Sequence, residues 1–291
     1  MLWFILTIAA VFLVVLETFL EKRTLIKART FNFAAIFAFA NGVVSIPLLL
    51  VADFTGITWQ VLFLIYITAI FSTITSFLIF KTIKHGAISE VTPILALLPL
   101  VVSLLAFFIL GERLNAFQII GLLLMVLGII FLELKNYKYS KGFFSDRKKK
   151  YIVYIIAYLV FGGISVIFDK SILSDFNIKP LGYLAIVQIF IAFNYLAIVC
   201  LKPKQFVGLK SDFAKFWPVI ILISLLVVAH RFLYMSAIKL AISIGLVVAV
   251  FKLSTLFNIF VGKKFFAEKN ILKKIIATVI ILLGVFILTI S

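Results

Sequence analysis

Ten apolar segments of roughly membrane-spanning length follow one another along the 291-residue chain, at about 2–20, 31–51, 60–80, 87–110, 116–134, 151–171, 180–201, 216–238, 242–262 and 271–290. A helix rising 1.5 Å per residue needs about 20 apolar residues to cross a hydrocarbon core about 30 Å thick. The segments are too long and too uniformly apolar for strands, and the roughly ten-residue alternating segments of an outer-membrane barrel are absent. The expected fold class is an all-α integral membrane protein with ten transmembrane helices. Composition agrees, because 65% of the residues are hydrophobic and 13% charged, against about 25% charged in soluble domains. The first segment opens Met1-Leu2-Trp3-Phe4 with no positive flank before it, and its basic residues come after it. That order is the reverse of a secretory signal, so the segment is expected to stay as a first helix.

The net charge of +17 has a one-sided distribution. Of the 28 Lys and Arg, 22 lie in the connections after helices 1, 3, 5, 7 and 9, while Arg113, Lys170, Lys179 and Lys239 lie in the even connections. The positive-inside rule makes the odd connections cytoplasmic and puts both termini outside. Trp59 and Trp217 open helices 3 and 8, where indole rings favour the interface. The basic run from Lys135 to Lys150 divides the chain into two five-helix units, 1–134 and 151–291, and reads as a juxtamembrane cytoplasmic linker facing anionic lipid. No nucleic-acid partner is expected.

The two units read as copies of one pattern. Phe77-Leu78 through Ile83-Lys84 matches Phe232-Leu233 through Ile238-Lys239, and Ala87-Ile88-Ser89 matches Ala241-Ile242-Ser243. Gly111-Glu112-Arg113-Leu114 and Gly128 match Ala267-Glu268-Lys269-Asn270 and Gly284, and Glu21-Lys22 matches Asp169-Lys170. With an odd number of helices per copy, the second must be inverted in the membrane relative to the first. Inverted repeats are the architecture of alternating-access carriers, with the substrate site near the midplane.

At these residues the chain resembles the drug/metabolite transporter superfamily, and specifically its ten-helix members with two EamA domains. The resemblance rests on Ser89-Glu90-Val91-Thr92-Pro93 and Pro99, on Gly111-Glu112, Gly121 and Gly128, and in the second copy on Lys252-Leu253-Ser254, Leu256-Phe257, Gly262, Glu268 and Gly284. The second copy has Ala267-Glu268 in place of Gly-Glu and lacks the helix 4 prolines. The resemblance implies a secondary carrier and leaves the substrate open, since members carry amino acids, nucleotide sugars, phosphorylated sugars, polyamines and drugs. It also implies cytoplasmic termini, opposite to the charge bias. Glu112 and Glu268 are expected to be structural, favoured by the dipole at a helix N-terminal turn.

Polar residues inside the spans are the candidate site. Lys252 lies ten residues into helix 9, where a lysine costs about 2.5–3.5 kcal/mol and must face a cavity, water or an anion. Gly245, Ala249, Lys252, Thr255 and Gly262 form a small-residue stripe, and the corresponding stripe in helix 4 sets Ala96 opposite Lys252. Small residues also let helices pack closely, so the stripes alone read equally as packing seams. Arg231, Tyr234 and Lys252 are expected to form an anion-binding cluster, because a guanidinium and an ammonium suit a carboxylate or phosphate. Thr255 shares the face of Lys252. Thr68, Ser72, Thr75 and Ser76 on helix 3 offer neutral hydrogen-bonding groups, with bonding back to their own helix as the plain alternative.

His230 and Glu17 are the proton-coupling candidates. Imidazole is well suited to exchanging protons at physiological pH, and in the related four-helix multidrug branch a first-helix glutamate couples protons to export. Glu21, Lys22, Asp169 and Lys170 are candidate gating residues at opposite membrane faces. Asn41 and Asn194, at matching places in helices 2 and 7, are expected to make interhelical hydrogen bonds.

The expected function is non-ATP secondary transport of a small organic anion or zwitterion, such as an amino acid, across the cell membrane. A lipid or headgroup flippase is the alternative. No Walker-type loop, Gly-x-Ser-x-Gly turn or His-Glu-x-x-His helix occurs, so neither ATP hydrolysis nor an intramembrane enzyme is expected. Cofactors and metals are not expected either. The expected partners are the small-molecule substrate, the bilayer and a coupling proton, and a homo-oligomer stays open.

Overall fold

The structure, a computed structural model, describes residues 2–110, 115–134, 149–240, 247 and 250–290. The described residues form twelve α-helices and no strand: α1 (Leu2–Leu25), α2 (Thr30–Ser45), α3 (Leu48–Val51), α4 (Trp59–His85), α5 (Ile88–Leu95), α6 (Leu98–Leu110), α7 (Ala116–Leu134), α8 (Lys149–Ser174), α9 (Pro180–Leu201), α10 (Leu209–Leu240), α11 (Ser254–Phe266) and α12 (Ile271–Ile290). Among the described residues, seven stretches are long and apolar enough to cross a membrane: Leu2–Leu25, Thr30–Val51, Trp59–His85, Ile88–Leu105, Tyr151–Leu173, Pro180–Leu201 and Leu209–Ala237. Ala116–Leu132 is a shorter apolar helix. The ninth expected span runs through residues 241–246 and 248–249, and Gly111-Glu112-Arg113-Leu114 and most of the 135–150 linker likewise lie outside the described residues.

Local chemistry explains where the helices start and stop. Thr58 caps α4 by accepting from Val61 N at 3.4 Å. Pro99 has no N–H and its ring crowds the carbonyl four residues back, that of Leu95. The helix accordingly breaks at Ala96–Leu97, between α5 and α6. Ala267 ends α11 in the left-handed conformation (φ 51°), the geometry for which glycine is the usual residue.

Exchanging the two halves maps the helix packing onto itself. Helix α1 lies along α10 as α8 lies along α4. The α2–α10 contact repeats as α9–α4, and α1–α11 repeats as α8–α6. Three pairings cross between corresponding spans: α2 with α9, the α5 part of the fourth span with the α11 part of the ninth, and α7 with α12. The last is the tightest in backbone terms. A Cβ on Gly128 would lie 3.0 Å from Ala277 O, and one on Gly284 would lie 2.6 Å from Gly121 O.

The connections sort onto two faces. On one, Lys84 Nζ donates to Ala28 O at 2.6 Å, Arg29 Nη1 to Val207 O at 2.8 Å, Asn32 Nδ2 to Asp212 Oδ2 at 2.6 Å, and Lys273 Nζ to Leu132 O. These bonds join odd connections to one another or to the helix ends beside them. On the other face Lys179 pairs with Asp53, joining the two even connections after α3 and α8. Hydrogen bonds from Lys179 and Thr55 hold the Asp53 carboxyl well below the usual carboxylate range. Large apolar side chains cover the outside, and Trp59, expected at an interface, is 86% exposed.

Candidate functional site

A cavity of about 300 Å³ occupies the centre of the bundle. Helices α1, α2, α4, α5, α8, α9, α10 and α11 all contribute to its wall, so both halves of the chain build it. Among its lining residues are Glu17, Glu21, Asn41, Ser72, Thr75, Ser76, Arg231, Lys252 and Thr255, all of them residues singled out from sequence.

Lys252 sits where a second helix is interrupted. The helical residues Val250 and Phe251 precede a turn at Lys252–Leu253, and α11 resumes at Ser254. There the chain tightens to i to i−3 bonding: Leu253 N donates to Val250 O, Thr255 N to Lys252 O and Leu256 N to Leu253 O, each at 3.0 Å. Ala96, the residue set opposite Lys252 by the sequence repeat, lies at the α5–α6 break and lines the same cavity. The second break forms without a proline. Among the described residues, no hydrogen bond or ion pair reaches the Lys252 ammonium.

Arg231 shares the cavity wall with Glu21 and interacts electrostatically with Glu21 and Asp169 without forming a direct ion pair among the described residues. Glu17 and Glu21, one helical turn apart on α1, bring two carboxylates to the cavity wall. The His230 Nδ1 lies 2.7 Å from Glu17 Oε2, joining α10 to α1. Tyr234 does not line the cavity; its ring packs at 4.5 Å from that of Phe251, which also contacts the His230 ring at 6.2 Å. The two proton-coupling candidates therefore touch, whereas Tyr234 stands one layer behind the cations.

The candidate gating residues separate. Lys22 is buried and donates to Ile83 O at 2.5 Å and to Gly86 O, holding the end of α1 against the last turn of α4. Tyr183 donates its hydroxyl to Asp169, tying α9 to α8. The side chain of Lys170 lies outside the described residues.

Most helix 3 hydroxyls bond back to their own helix, as Thr68 does to Leu64 O, Thr75 to Ser72 O and Ser76 to Thr73 O. Ser76 also meets the Tyr195 hydroxyl at 3.0 Å, and Ser72 meets Ser165 at 3.5 Å. Asn194 donates to Thr73 Oγ1 at 3.1 Å, the interhelical bond expected of it.

Gln188 and Asn258 are the main residues that sequence reasoning did not place, and Asn41, expected to hydrogen-bond to a neighbouring helix, makes no such bond among the described residues. Asn41, Gln188 and Asn258 all line the cavity, and Asn41 Oδ1, Gln188 Nε2 and Asn258 Oδ1 are buried without a hydrogen-bond partner among the described residues. Buried polar atoms are normally satisfied, because leaving one unpaired costs about 1–3 kcal/mol. Three such atoms lie in the wall of one cavity, beside an ammonium that has no partner among the described residues, so the lining keeps unused hydrogen-bonding capacity. No spacing in the sequence marked Gln188 or Asn258.

A second buried cluster ties the halves together away from the cavity. Glu268 Oε1 accepts from Ile88 N at 2.8 Å, while its Oε2 accepts from Ser89 N at 3.0 Å and from the Ser89 hydroxyl. Lys274 donates to Ser89 Oγ at 2.6 Å and lies 3.4 Å from Glu90. Glu268 thus caps the N-terminus of α5, in the other half of the chain. The sequence had suggested a structural glutamate; the helix it serves follows only from the tertiary fold.

Residues 1–134 match the model of the EamA-like transporter family. A solved crystal structure superposes with a TM-score of 0.64 at 18% identity, over 98% of this chain and 96% of its own, which shows a shared fold along nearly the whole length. No curated protein matches the chain.

Proposed function

We propose, on the premise that residues 1–134 belong to the EamA-like transporter family, that this multi-pass membrane protein is a secondary carrier of a small zwitterionic or anionic metabolite, with an amino acid as the best-fitting class. The observation that carries the reading is the unpaired Lys252 ammonium at a helix interruption on the cavity wall. A carboxylate placed there gains the Lys252 ammonium on the cavity wall. Glu17 and Glu21 line the same cavity with acidic side chains, hydrogen-bonding partners for the ammonium of a ligand carrying both charges.

Residues 1–134 and 151–291 act in this reading as two inverted five-helix repeats, ten spans in all, rocking around the cavity. The exchange symmetry of the packing and the paired interruptions at Ala96 and Lys252 support it. The Lys22 bonds to the end of α4 serve as the closing tie at the odd-connection face, and the Asp169–Tyr183 bond as its counterpart toward the other. Lys170 and Glu21 act beside them. A proton shared between Glu17 and His230 couples the cycle, since neutralising either side chain changes the charge that the cavity presents.

A thermal-shift panel on the purified protein tests the reading. Neutral and acidic amino acids raise Tm, as any ligand of the native state must, and polyamines do not. A response to polyamines alone contradicts it.

A further inference from the structure

A second cavity, of about 310 Å³, opens on the outer surface between α2, α9 and α10, where no part of the transport reading places a ligand. Its floor is made of the small residues Ala35 and Ala192, and its walls of Phe39, Leu196 and Phe213, of which Phe39 is 53%, Leu196 54% and Phe213 44% exposed. One charged side chain lines it, Lys210 in the first turn of α10. The groove thus has an apolar body and a single cationic end.

Its length and position match one lipid leaflet. Phe39 is nine residues from the start of α2 and Ala192 nine from the end of α9. At 1.5 Å per residue the groove reaches about 14 Å in from that face, about half of a hydrocarbon core about 30 Å thick. The polar end lies at the connection between α9 and α10, which carries Lys202 and Lys204 before Lys210, with Lys215 beyond it. The acid in this stretch, Asp212, is engaged inward by Asn32 Nδ2. This is the face that the charge bias assigns to the cytoplasm, whose leaflet carries anionic lipid.

We propose that this groove is a binding site for an anionic phospholipid, with one acyl chain lying along Phe39 and Leu196 and the headgroup phosphate on the Lys210 ammonium. A scattered basic surface attracts anionic lipid without order. Here an acyl-length channel ends on one of those lysines, which fixes a position for chain and headgroup together. The site is independent of the substrate cavity.

Detergent-solubilised full-length protein is titrated with dioleoylphosphatidylglycerol and, in parallel, with dioleoylphosphatidylcholine, and Tm is followed. The phosphatidylglycerol shift exceeds the phosphatidylcholine shift by at least twofold. Lys210→Ala and the groove-filling Leu196→Trp each remove more than half of that excess, whereas Lys263→Ala, an exposed lysine on the same face outside the groove, leaves it intact. Equal shifts from the two lipids overturn the proposal. So does an equal loss in Lys210→Ala and Lys263→Ala, which is the signature of diffuse surface charge, or an excess that survives Leu196→Trp. If Leu196→Trp does not fold, Phe213→Trp fills the same groove from α10 and is read by the same criterion.

Discussion

Glu17 on α1 and His230 on α10 meet at 2.7 Å, an acid and a base held together on helices from opposite halves of the chain. Both are nearly buried, with 12% and 10% of their side chains exposed, and Glu17 lines the cavity that also holds Lys252. On the proposed transport reading, a proton taken up by this pair changes the net charge of the cavity wall without leaving an isolated ion in the bilayer. Membrane-embedded acid and base pairs of this kind are the usual places for proton relays.

Glu17→Gln and His230→Gln are each expected to remove the dependence of transport on a proton gradient while preserving substrate exchange. Uptake into proteoliposomes with and without an imposed pH difference measures this. A mutant that loses exchange together with gradient dependence assigns the pair to substrate binding or folding instead.

Gly284→Ala is expected to destabilise the protein by about 1–3 kcal/mol, the usual range for an overpacked contact. Its Cβ would fall 2.6 Å from Gly121 O and 2.8 Å from Met125 N, and backbone atoms of a facing helix yield less easily than a side chain. Gly208→Ala meets nothing within 4 Å, but its φ of +74° makes it a test of backbone strain instead. Thermal denaturation in detergent distinguishes a steric loss at Gly284 from no effect.

Glu268→Gln keeps the shape of the α5 cap but weakens it, because a carboxylate accepting backbone N–H bonds is replaced by a neutral amide. The expected cost is about 0.5–2 kcal/mol, as for other helix N-caps. Glu268→Ala costs more and leaves Lys274, 3.8 Å from the carboxylate, with one fewer counter-charge. Hydrogen exchange at Ile88 and Ser89 should rise in both variants; unchanged exchange there contradicts the cap.

The Asp53–Lys179 tie should be insensitive to pH across the neutral and mildly acidic range. Its carboxyl is held below the ordinary value near 4, so its contribution is present above that value and is lost only as the pH falls through the lower, folded-state value. Protection factors near Ile178, which remove the intrinsic pH dependence of amide exchange, are therefore expected to be equal at pH 7 and pH 5 and to decrease in Asp53→Asn at both. A fall in wild-type protection between pH 7 and 5 contradicts the assignment.

The helices and much of the cavity were legible in the sequence because membrane physics leaves few alternatives. A run of apolar residues of spanning length must be helical, and a charge inside it must face something polar. That reasoning reached Lys252 and Arg231, and the break at Ala96 follows from Pro99. It did not reach Gln188 or Asn258, since an amide in a span pairs with a neighbouring helix as readily as with a cavity, and only the packing of α9 and α11 decides which. Tyr234 shares a helix with Arg231, but its ring packs on Phe251. The cap that Glu268 places on α5 spans about 180 positions of sequence. No local pattern encodes a partner so distant.

Uptake by reconstituted Lys252→Ala vesicles decides whether this lysine holds the substrate. The substrate is the amino acid giving the largest wild-type thermal shift, and folding of the variant is verified by its Tm in detergent. At least a tenfold loss of uptake with the fold retained is expected, together with loss of the substrate-induced thermal shift and partial recovery of both in Lys252→Arg. Wild-type uptake by a folded Lys252→Ala protein contradicts a substrate-binding role for Lys252.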